Sequence, residues 1–482
     1  MAENVLYYGD NLDILRRYIK DETIDLIYLD PPFKSEQDYN VLFAEQNGSR
    51  AAAQIKAFED TWQWDQAAAK AYQEIVETGP QRVSQVMQGF RTFLGESDMM
   101  AYLSMMAPRL VELKRVLKPS GSIYLHCDPT ASHYLKMLMD AVFGPENFQN
   151  EIVWCYKTGG ATKRRFARKH DTLLFYGKEV AKTLFNPQKE KSYMMHKYGF
   201  KKSDFQEDEQ GQYSWVIMKD WWEIPAVGSA DRQRLGYPTQ KPELLLERII
   251  TASSKEKQVV LDPFCGCGTT IAVAQRLKRK WIGIDITHLA VALMKHRLKD
   301  TFGRRVKYRV IGEPVSLPDA KTLAEDNRYQ FQWWALGLVG ARPVEQKKGA
   351  DKGIDGRLYF HDEVDNTRGK TKQVVISVKS GTVGVKDVRD LRGVIEREKA
   401  QIGVLISMEK PSQAMRTETA GAGFYKSPWG KHPVMQILTV EDLLQGKGID
   451  YPDVPGVNVT FKKAPKAKDE KVAHPELDYP EE

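Results

Sequence analysis

The first 312 residues are most constrained by a regular alternation of short apolar runs with segments of helical periodicity. Ile24–Leu29 (IDLIYL) is almost wholly apolar, as expected of a strand buried on both faces of a parallel sheet. Residues 99–116 then carry apolar side chains at helical spacing, and residues 118–121 (KPSG) predict the turn that ends this helix. This order predicts an α/β fold built on a Rossmann-like, mostly parallel sheet with helices on both faces.

The alternation continues along the chain and is interrupted twice. Further strands are predicted at residues 122–125, 152–156, 172–176, 259–261 and 281–284, and further helices at residues 130–143, 242–253, 269–277 and 288–302. Residues of about 41–97 are rich in Ala and Gln and predict a mainly helical insertion. Residues of about 178–236 are rich in Tyr and Trp without clear periodicity, which favours an inserted recognition segment over core.

The remaining chain predicts a second domain and a tail. Residues 313–450 contain a predicted helix at 328–339 and a predicted strand at 374–378, consistent with a separate α/β unit. Residues 451–482 are rich in Lys, Pro and Glu, a composition typical of disorder. We therefore divide the sequence into units 1–312, 313–450 and 451–482.

Composition limits the cellular setting. The 482 residues are 42% hydrophobic and 28% charged, which suits folds with full cores. No stretch has the apolar length needed to cross a bilayer and no secretory leader is visible, so we expect a cytoplasmic protein without a membrane partner. Cys265 and Cys267 lack a second pair at zinc spacing and are interpreted as small buried residues.

Residues 259–270 (VVLDPFCGCGTT) combine a strand, a glycine turn and a helix start. Glycines such as Gly266 and Gly268 let the backbone approach a ligand, and the helix start offers free N–H groups to an acidic group. Asp285 follows Asp262 by 23 positions at the end of the next strand, where an acid can bind the two hydroxyls of a ribose. Such turns also occur for packing alone, and this pattern does not separate nicotinamide, flavin and S-adenosylmethionine. The absence of a GxGxxG sequence argues against a dinucleotide.

Residues 30–33 (DPPF) follow the predicted buried strand directly. The two prolines fix the backbone as it leaves the strand, so its carbonyls point in fixed directions. An amino nitrogen attached to a base ring is a poor nucleophile, and it improves when the Asp30 carboxylate and the Pro31 carbonyl each accept one of its hydrogens. Phe33 would stack on the base. An acidic turn with a proline pair can arise by chance, but the buried strand before it and the aromatic after it favour a functional site.

At these residues the chain resembles the DNA amino-methyltransferases, in which (D/N/S)PP(Y/F/W) is the catalytic motif and an FxGxG turn holds S-adenosylmethionine. Residues 8–11 (YGDN), 170–176 (HDTLLFY) and 238–242 (PTQKP) resemble further motifs of that family, and the motif order is that of its β group. The resemblance covers roughly residues 4–312. It implies a seven-stranded sheet with S-adenosylmethionine and a flipped base at adjacent strand ends.

The resemblance also assigns residues. It implies a catalytic set of Asp30, Pro31, Pro32 and Phe33. It implies a cofactor set of Asp10, Thr239, Lys241, Asp262, Phe264, Cys265, Gly266, Gly268, Thr269 and Asp285. The Asp at the head of the motif favours N6 of adenine over N4 of cytosine, by association within the family.

A basic cluster in residues 157–170 predicts phosphate contact with double-stranded DNA. It comprises Lys157, Lys163, Arg164, Arg165, Arg168 and Lys169 without an intervening acid. A solvated loop is the alternative interpretation. The net charge of +7 also suits a polyanionic partner.

In the second domain, residues 349–356 (GADKGIDG) precede a predicted strand that ends in residues 376–381 (ISVKSG). This block resembles Mrr-type restriction endonucleases of the PD-(D/E)xK superfamily. In that resemblance Asp355 would hold Mg²⁺ and Lys379 would orient the attacking water. Ser377 stands where an acid or glutamine is expected, and Gln332 or Glu345 are the candidates for the missing ligand. Cleavage and DNA binding without cleavage therefore both stay open.

Together these patterns predict a DNA methyltransferase in a restriction-modification or defence setting. The alternatives are N4-cytosine methylation, an RNA or protein-glutamine substrate, and a DNA-binding module without catalysis. The last would need a damaged site, and neither residues 30–33 nor residues 264–269 look damaged. A homodimer is left open.

Overall fold

The computed structural model describes residues 4–32, 64–156, 163–193, 205–228, 230–237, 239–303, 306–344, 353–362, 371–452 and 457–466. Within these ranges the chain forms a nine-stranded sheet in its N-terminal part and a five-stranded sheet in its C-terminal part, with two small sheets beside them. None of the described helices combines the length and apolar character that crossing a bilayer requires.

The N-terminal part alternates strands with helices, as its sequence predicts. Its strands are β1 (Val5–Tyr8), β2 (Ile24–Leu29), β3 (Leu117–Cys127), β4 (Phe148–Cys155), β5 (His170–Gly177), β6 (Lys189–Ser192), β7 (Phe205–Asp208), β8 (Gly211–Ile217), β9 (Trp221–Glu223), β10 (Val259–Asp262), β11 (Lys280–Asp285) and β12 (Arg309–Ile311). Its helices are α1 (Asn11–Tyr18), α2 (Gln66–Thr78), α3 (Gln81–Leu94), α4 (Asp98–Val116), α5 (Ser132–Phe143), α6 (Glu243–Ser253), α7 (Thr269–Arg276) and α8 (His288–Phe302).

The order of strands in the large sheet is β12-β1-β11-β10-β2-β3-β5-β4-β9. Strands β12, β1, β11, β10, β2 and β3 run parallel to one another, whereas β5 pairs antiparallel with β3. The carboxyl ends of these six parallel strands therefore share one edge of the sheet with the beginning of β5. Every residue of β2 is buried, because core clusters cover both faces of the sheet.

Three sequence expectations need correction. Residues 118–121 do not form a turn but lie inside β3, where the register shifts: Leu117 lies opposite Ile24 and Ser122 opposite Leu26, so extra residues bulge out of the strand. The sheet has nine strands rather than the implied seven, because β12 and β9 extend its two edges. The segment 178–236 contains a three-stranded sheet, β6-β8-β7, and β9 pairs with β4, which buries Trp222 in the main core.

The described part of the insertion, residues 64–97, is helical and contains α2 and α3, as predicted. Helix α2 packs on α4 through Ile75, and α3 contributes Val83 and Phe90 to the same core. Residues 33–63 of the insertion and its flank lie outside the described residues.

The C-terminal part has its own sheet, in the order β13-β14-β15-β16-β19. Its strands are β13 (Arg342–Pro343), β14 (Gly356–Phe360), β15 (Lys372–Lys379), β16 (Ile402–Ser407), β17 (Phe424–Ser427), β18 (Gly430–Pro433) and β19 (Met435–Thr439). Its helices are α9 (Leu317–Asp326), α10 (Arg328–Leu338), α11 (Val385–Glu398), α12 (Gln413–Ala420) and α13 (Val440–Leu444). Strands β17 and β18 form a separate hairpin.

The expectation of disorder after residue 450 is wrong for residues 457–466. The backbone N–H of Val459 donates to the Tyr359 carbonyl (2.9 Å), which attaches this segment to strand β14. The Phe461 ring packs 4.6 Å from the His296 ring of α8, measured between centroids. Apolar contact with both parts of the chain offsets the polar composition that predicted disorder.

Candidate functional site

A cavity of about 530 Å³ lies at the shared edge where the parallel strands end. The turns after β1, β2, β10 and β11 and the beginning of β5 open into it, as ligand sites in open α/β sheets do. Its lining includes Asp10, Tyr28, Asp30, Pro31, Pro32, Arg109, Asp128, Tyr156, Asp171, Thr239, Lys241, Asp262, Phe264, Cys265, Gly266, Thr269 and Asp285. The topology thus brings the first and last thirds of the large domain to one site.

Asp30 leaves the end of β2 and forms an ion pair with Lys241, which precedes α6. The Lys241 Nζ atom lies 2.6 Å from Asp30 Oδ2, and the two side chains are 15% and 17% exposed. A charge-assisted hydrogen bond of this length fixes one carboxylate oxygen. The buried Pro31 follows, so the backbone that leaves β2 is held at the cavity wall.

The glycine turn after β10 needs its glycines for backbone and packing reasons. Gly266 (φ +46°) and Gly268 (φ +73°) both adopt left-handed conformations. A Cβ atom on Gly268 would lie 2.5 Å from Met294 Cγ of α8, and one on Gly266 would lie 3.2 Å from the Tyr237 ring. The turn is therefore pressed between neighbouring side chains while Gly266 still faces the cavity.

Two carboxylates flank this turn, the buried Asp262 and the partly buried Asp285. Asp285 Oδ2 accepts a hydrogen bond from the Gly266 N–H (2.9 Å), and Asp285 Oδ1 accepts from the backbone and hydroxyl of Thr287 (both 2.9 Å). Burial raises the pKa of Asp285 despite these donors. Burial also raises the pKa of Asp262 to about 7, against the opposing hydrogen bonds from Thr270 and the Phe264 N–H.

A hydrogen-bonded network joins the end of β1 to the glycine turn. Asp10 caps α1 and pairs with Arg109 of α4 at 2.6 Å. The Arg109 Nε atom donates to Asn11 Oδ1 (2.6 Å), and Asn11 Nδ2 donates to the Pro263 carbonyl (2.8 Å). Burial lowers the pKa of Arg109, and its pairing with Asp10 opposes that shift. This network fixes Asp10 relative to the turn that begins at Pro263.

A second network lies on the other side of the cavity, below Asp30. The Tyr28 hydroxyl is 2.9 Å from His126 Nδ1, and His126 Nε2 is 3.2 Å from Asp171 Oδ2. Tyr156 donates its hydroxyl to Asp171 Oδ1 at 3.2 Å. Burial alone would raise the pKa of Asp171, but the hydrogen bond and charge of His126 and the charge of Lys241 lower it overall. These partners thus favour the ionised form of the Asp171 carboxylate in the cavity wall.

The cavity is rich in acids. Of the residues that the structure describes, six aspartates line it, Asp10, Asp30, Asp128, Asp171, Asp262 and Asp285, against two cationic side chains, Arg109 and Lys241. This excess of carboxylates favours a ligand that carries positive charge. The lysine provides a local partner for an anionic group within the same ligand.

The structure brings most of the sequence-predicted site residues together. Apart from Phe33 and Gly268, every residue of the predicted catalytic and cofactor sets lines the cavity. Gly268 supports the turn from behind, whereas Phe33 and Lys157 lie outside the described residues. Lys163, Arg164, Arg165 and Arg168 are exposed on the segment before β5 and do not line the cavity.

Sequence reasoning missed the two networks. Arg109 carries a weak signal, since it is a cation within an otherwise apolar stretch of α4. His126 is a polar residue at the end of the buried strand β3, a position where a ligand-facing group is common in α/β sheets. The sequence around Arg109 or His126 does not identify the hydrogen-bonding partner of either side chain, because that partner comes from another strand or helix.

The endonuclease-like site of the C-terminal part does not have the expected metal-binding arrangement. Asp355 Oδ1 accepts from Gln332 Nε2 (2.8 Å), and Asp355 Oδ2 accepts from the Val378 N–H (2.6 Å) and the Ser377 hydroxyl (3.3 Å). In the described ranges no group of three or more His, Cys, Asp or Glu side chains is placed to hold a metal ion. The expectation that Asp355 holds Mg²⁺ for water oriented by Lys379 is therefore not supported. Glu345, the other candidate ligand, lies outside the described residues.

Comparison with protein families gives two matches. The family model described as "DNA methylase" matches residues 24–296. The model described as "NACHT-associated inactive Restriction Endonuclease 1" matches residues 328–445. The second match corrects the expected Mrr-type nuclease to a similarity with an inactive endonuclease family, in agreement with the hydrogen bonds that occupy Asp355.

Curated relatives resemble the N-terminal part. The chain is 34% identical over 207 residues to the type II methyltransferase M.HpaI of Haemophilus parainfluenzae, which covers 42% of this chain and 60% of that protein. It is 30% identical over 300 residues to the type II methyltransferase M2.LlaDCHI of Lactococcus lactis subsp. cremoris, which covers 61% of this chain and 88% of the relative.

Among solved structures, a PvuII DNA methyltransferase described as cytosine-N4-specific is 17% identical and has a TM-score of 0.38. The match covers 61% of this chain and 86% of that one. The family model spans β2, the glycine turn and the first part of α8, and it includes every described residue that lines the cavity except Gly9, Asp10 and Asn11. On the strength of this match and of the identity to M2.LlaDCHI, the chain belongs to the DNA methylase family.

Proposed function

We propose that this chain transfers a methyl group from S-adenosylmethionine to the exocyclic amino nitrogen of a base flipped out of double-stranded DNA, and that the base is adenine, modified at N6. The observation that carries the proposal is the position of Asp30. Its carboxylate faces the same cavity as the glycine turn and Asp285, although these residues lie far apart in sequence.

The acceptor chemistry rests on two oxygen atoms. The amino group of adenine shares its lone pair with the ring, so it becomes nucleophilic only when acceptors draw on both of its hydrogens. The Asp30 carboxylate and the Pro31 carbonyl are the two acceptors at the end of β2. As the nitrogen gains the methyl group it must release one hydrogen as a proton, and Asp30 is positioned to accept it. Lys241 holds the other oxygen of that carboxylate.

The residues around the glycine turn fit the cofactor. Asp10 and Asp285 provide acceptors for hydroxyl groups, and Lys241 provides a cation for a carboxylate. The acid-rich wall suits a ligand with net positive charge. When bound, S-adenosylmethionine supplies an electrophilic methyl group on a sulfonium sulfur. The protein's part is to hold that group close to the acceptor nitrogen and to exclude water.

Base flipping needs more than one contact. Extruding a base costs a few kcal/mol, whereas stacking on one aromatic ring returns only about 1–3 kcal/mol. Phosphate contacts by the exposed Lys163, Arg164, Arg165 and Arg168 are suited to supply the rest. The segment containing β6, β7 and β8 is the proposed reader of the target sequence. A restriction-modification setting follows from the type II methyltransferases that the chain resembles.

The decisive experiment incubates the purified full chain with isotopically labelled S-adenosylmethionine and mixed-sequence duplex DNA, followed by mass spectrometry of the nucleosides. N6-methyladenine is expected. Asp30→Ala should abolish the product while it retains cofactor binding, and the exposed Asp13→Ala is the matched control that should stay active. N4-methylcytosine would correct the base but keep the reaction. No label in the DNA, with S-adenosylmethionine still bound by the chain, would refute the DNA substrate.

A further inference from the structure

The hairpin β17–β18 of the C-terminal part has one anchored face and one exposed face. On the anchored face, Tyr425 donates its hydroxyl to the buried Asp362, and its ring packs edge-on to Phe360 at 6.1 Å. The neighbouring His432 contacts Asp450, with His432 Nδ1 2.7 Å from Asp450 Oδ1. These contacts hold the hairpin on the domain, so its outer face has a fixed orientation.

The outer face carries lysines and aromatic rings. Strand alternation places Phe424, Lys426 and Lys431 on it, and Lys426 lies directly opposite Lys431 in the register. Both lysines are exposed, Phe424 is 63% exposed, and Trp429 at the turn is 41% exposed. The segment 424–433 contains no acidic residue, and within the described ranges the acids hydrogen-bonded to it, Asp362 and Asp450, bind its inner face.

This face is unfavourable without a partner. Like charges directly opposite each other destabilise an antiparallel pair, and two large exposed aromatics next to them leave apolar surface in water. A ligand that combines negative charge with accessible apolar groups would relieve both. Double-stranded DNA carries phosphates along its backbone and thymine methyl groups in its major groove, and a two-stranded ribbon is narrow enough to enter that groove.

We infer that the hairpin formed by residues 424–433 is a duplex-DNA contact of the endonuclease-like domain, with Lys426 and Lys431 on phosphates and Phe424 and Trp429 against the groove. The occupied Asp355 site explains how a domain of this kind serves binding without cleavage. The inference goes beyond the proposed methyl transfer and rests on it only in taking DNA as the polyanion.

The test measures binding of the full chain to a fluorescently labelled mixed-sequence duplex by anisotropy, over a range of salt concentrations and without cofactor. Lys426→Gln/Lys431→Gln should flatten the log–log salt dependence by about 1.8 units, since each phosphate contact contributes about 0.9. The control pair Lys386→Gln/Lys410→Gln neutralises two other exposed lysines of the domain and should leave the slope unchanged. Phe424→Ser should weaken binding about fivefold at constant slope.

Three outcomes would overturn the inference. One is an unchanged slope and affinity in the hairpin variants, and another is equal flattening in the control pair. The third is altered self-association of Phe424→Ser in sedimentation velocity with unchanged DNA affinity, which would make a second copy of the chain the occupant. Because binding is measured without turnover, a loss of slope in the hairpin variants would stand even if no methylated base were found.

Discussion

Lys241 and Asp30 form an ion pair across 211 residues of sequence, with Nζ 2.6 Å from Oδ2. The sequence resemblance assigns Lys241 to the cofactor set, whereas the structure places its ammonium group on the carboxylate at the end of β2. A lysine that lies between the cofactor and the acceptor base can contact the cofactor and Asp30 at once, since an ammonium group has three donors. The pair therefore links the cofactor side of the cavity to the acceptor side.

Lys241→Met should reduce the rate of methyl transfer more than it weakens cofactor binding. Without the ammonium group, the Asp30 carboxylate loses its fixed position, and a displacement of about 1 Å at a reacting centre can cost about 100-fold in rate. Single-turnover kinetics at saturating cofactor, together with calorimetric titration of S-adenosylmethionine, separate the two effects. Lys118→Met, which breaks the Lys118–Asp25 pair (2.7 Å) outside the cavity lining, is the matched control. If only cofactor affinity falls, Lys241 has the cofactor-binding role that the resemblance implies and does not position Asp30.

The limits of sequence prediction are visible in the same residues. β2 (Ile24–Leu29) and α8 (His288–Phe302) have the predicted bounds, because their apolar periodicity is local. The convergence of Asp30 with Asp285 also follows from sequence, because parallel strands end at one edge. The pairs Lys241–Asp30 and His126–Asp171 do not follow from the sequence. Each depends on how two segments that are distant in sequence are positioned against each other in the fold. The weak metal site is indicated locally in the sequence, because Ser377 stands where an acid or glutamine is expected.

His126→Leu should lower the stability of the protein and shift the acidic limb of the pH profile of kcat/KM. The substitution leaves the Tyr28 hydroxyl and one Asp171 oxygen without their partner, at a cost of about 1–3 kcal/mol for each buried group. Because His126 helps to lower the pKa of Asp171, its loss should raise that pKa, and the acidic limb of kcat/KM should move to higher pH. His133→Leu on the exposed side of α5 is the control. A loss of stability with an unmoved profile would mean that the network is purely structural.

Asp262→Asn should stabilise the protein at neutral and alkaline pH. Burial raises the pKa of Asp262 to about 7, so between about pH 4, where an unfolded aspartate titrates, and pH 7 the folded state holds more protons than the unfolded state. Stability contributed by this group therefore falls as pH rises through that window. Asparagine keeps an acceptor for the Phe264 N–H (3.0 Å) without the buried charge.

Urea unfolding of both proteins at a series of pH values tests this expectation. The advantage of Asp262→Asn should grow from about pH 4 to pH 7, reach a few kcal/mol at most, and level off above that pH. An advantage that is the same at every pH would show that the carboxyl group does not titrate in this window.

The packing of segment 457–466 leads us to expect that cofactor binding depends on residues far from the methyltransferase motifs. Phe461 packs against Cys267, Leu289 and Leu293, and Cys267 belongs to the glycine turn. On either side of it, Thr460 accepts from the Tyr359 N–H (2.9 Å), and the Ala464 N–H donates to Asp300 of α8 (3.4 Å). The segment therefore fastens the endonuclease-like domain to the back of the turn.

Phe461→Ser should cost roughly 1–3 kcal/mol of stability, part of the loss for a fully buried Phe, and should also weaken S-adenosylmethionine binding several-fold. The reason is that the turn keeps its left-handed Gly266 and Gly268 only while both sides are packed. Calorimetric titration and urea unfolding measure the two effects, and Lys462→Gln, at the exposed neighbouring position, is the control. If stability falls while cofactor affinity stays at the wild-type value, the segment joins the two domains without supporting the turn. A loss in both would make the C-terminal segment part of the cofactor site's support.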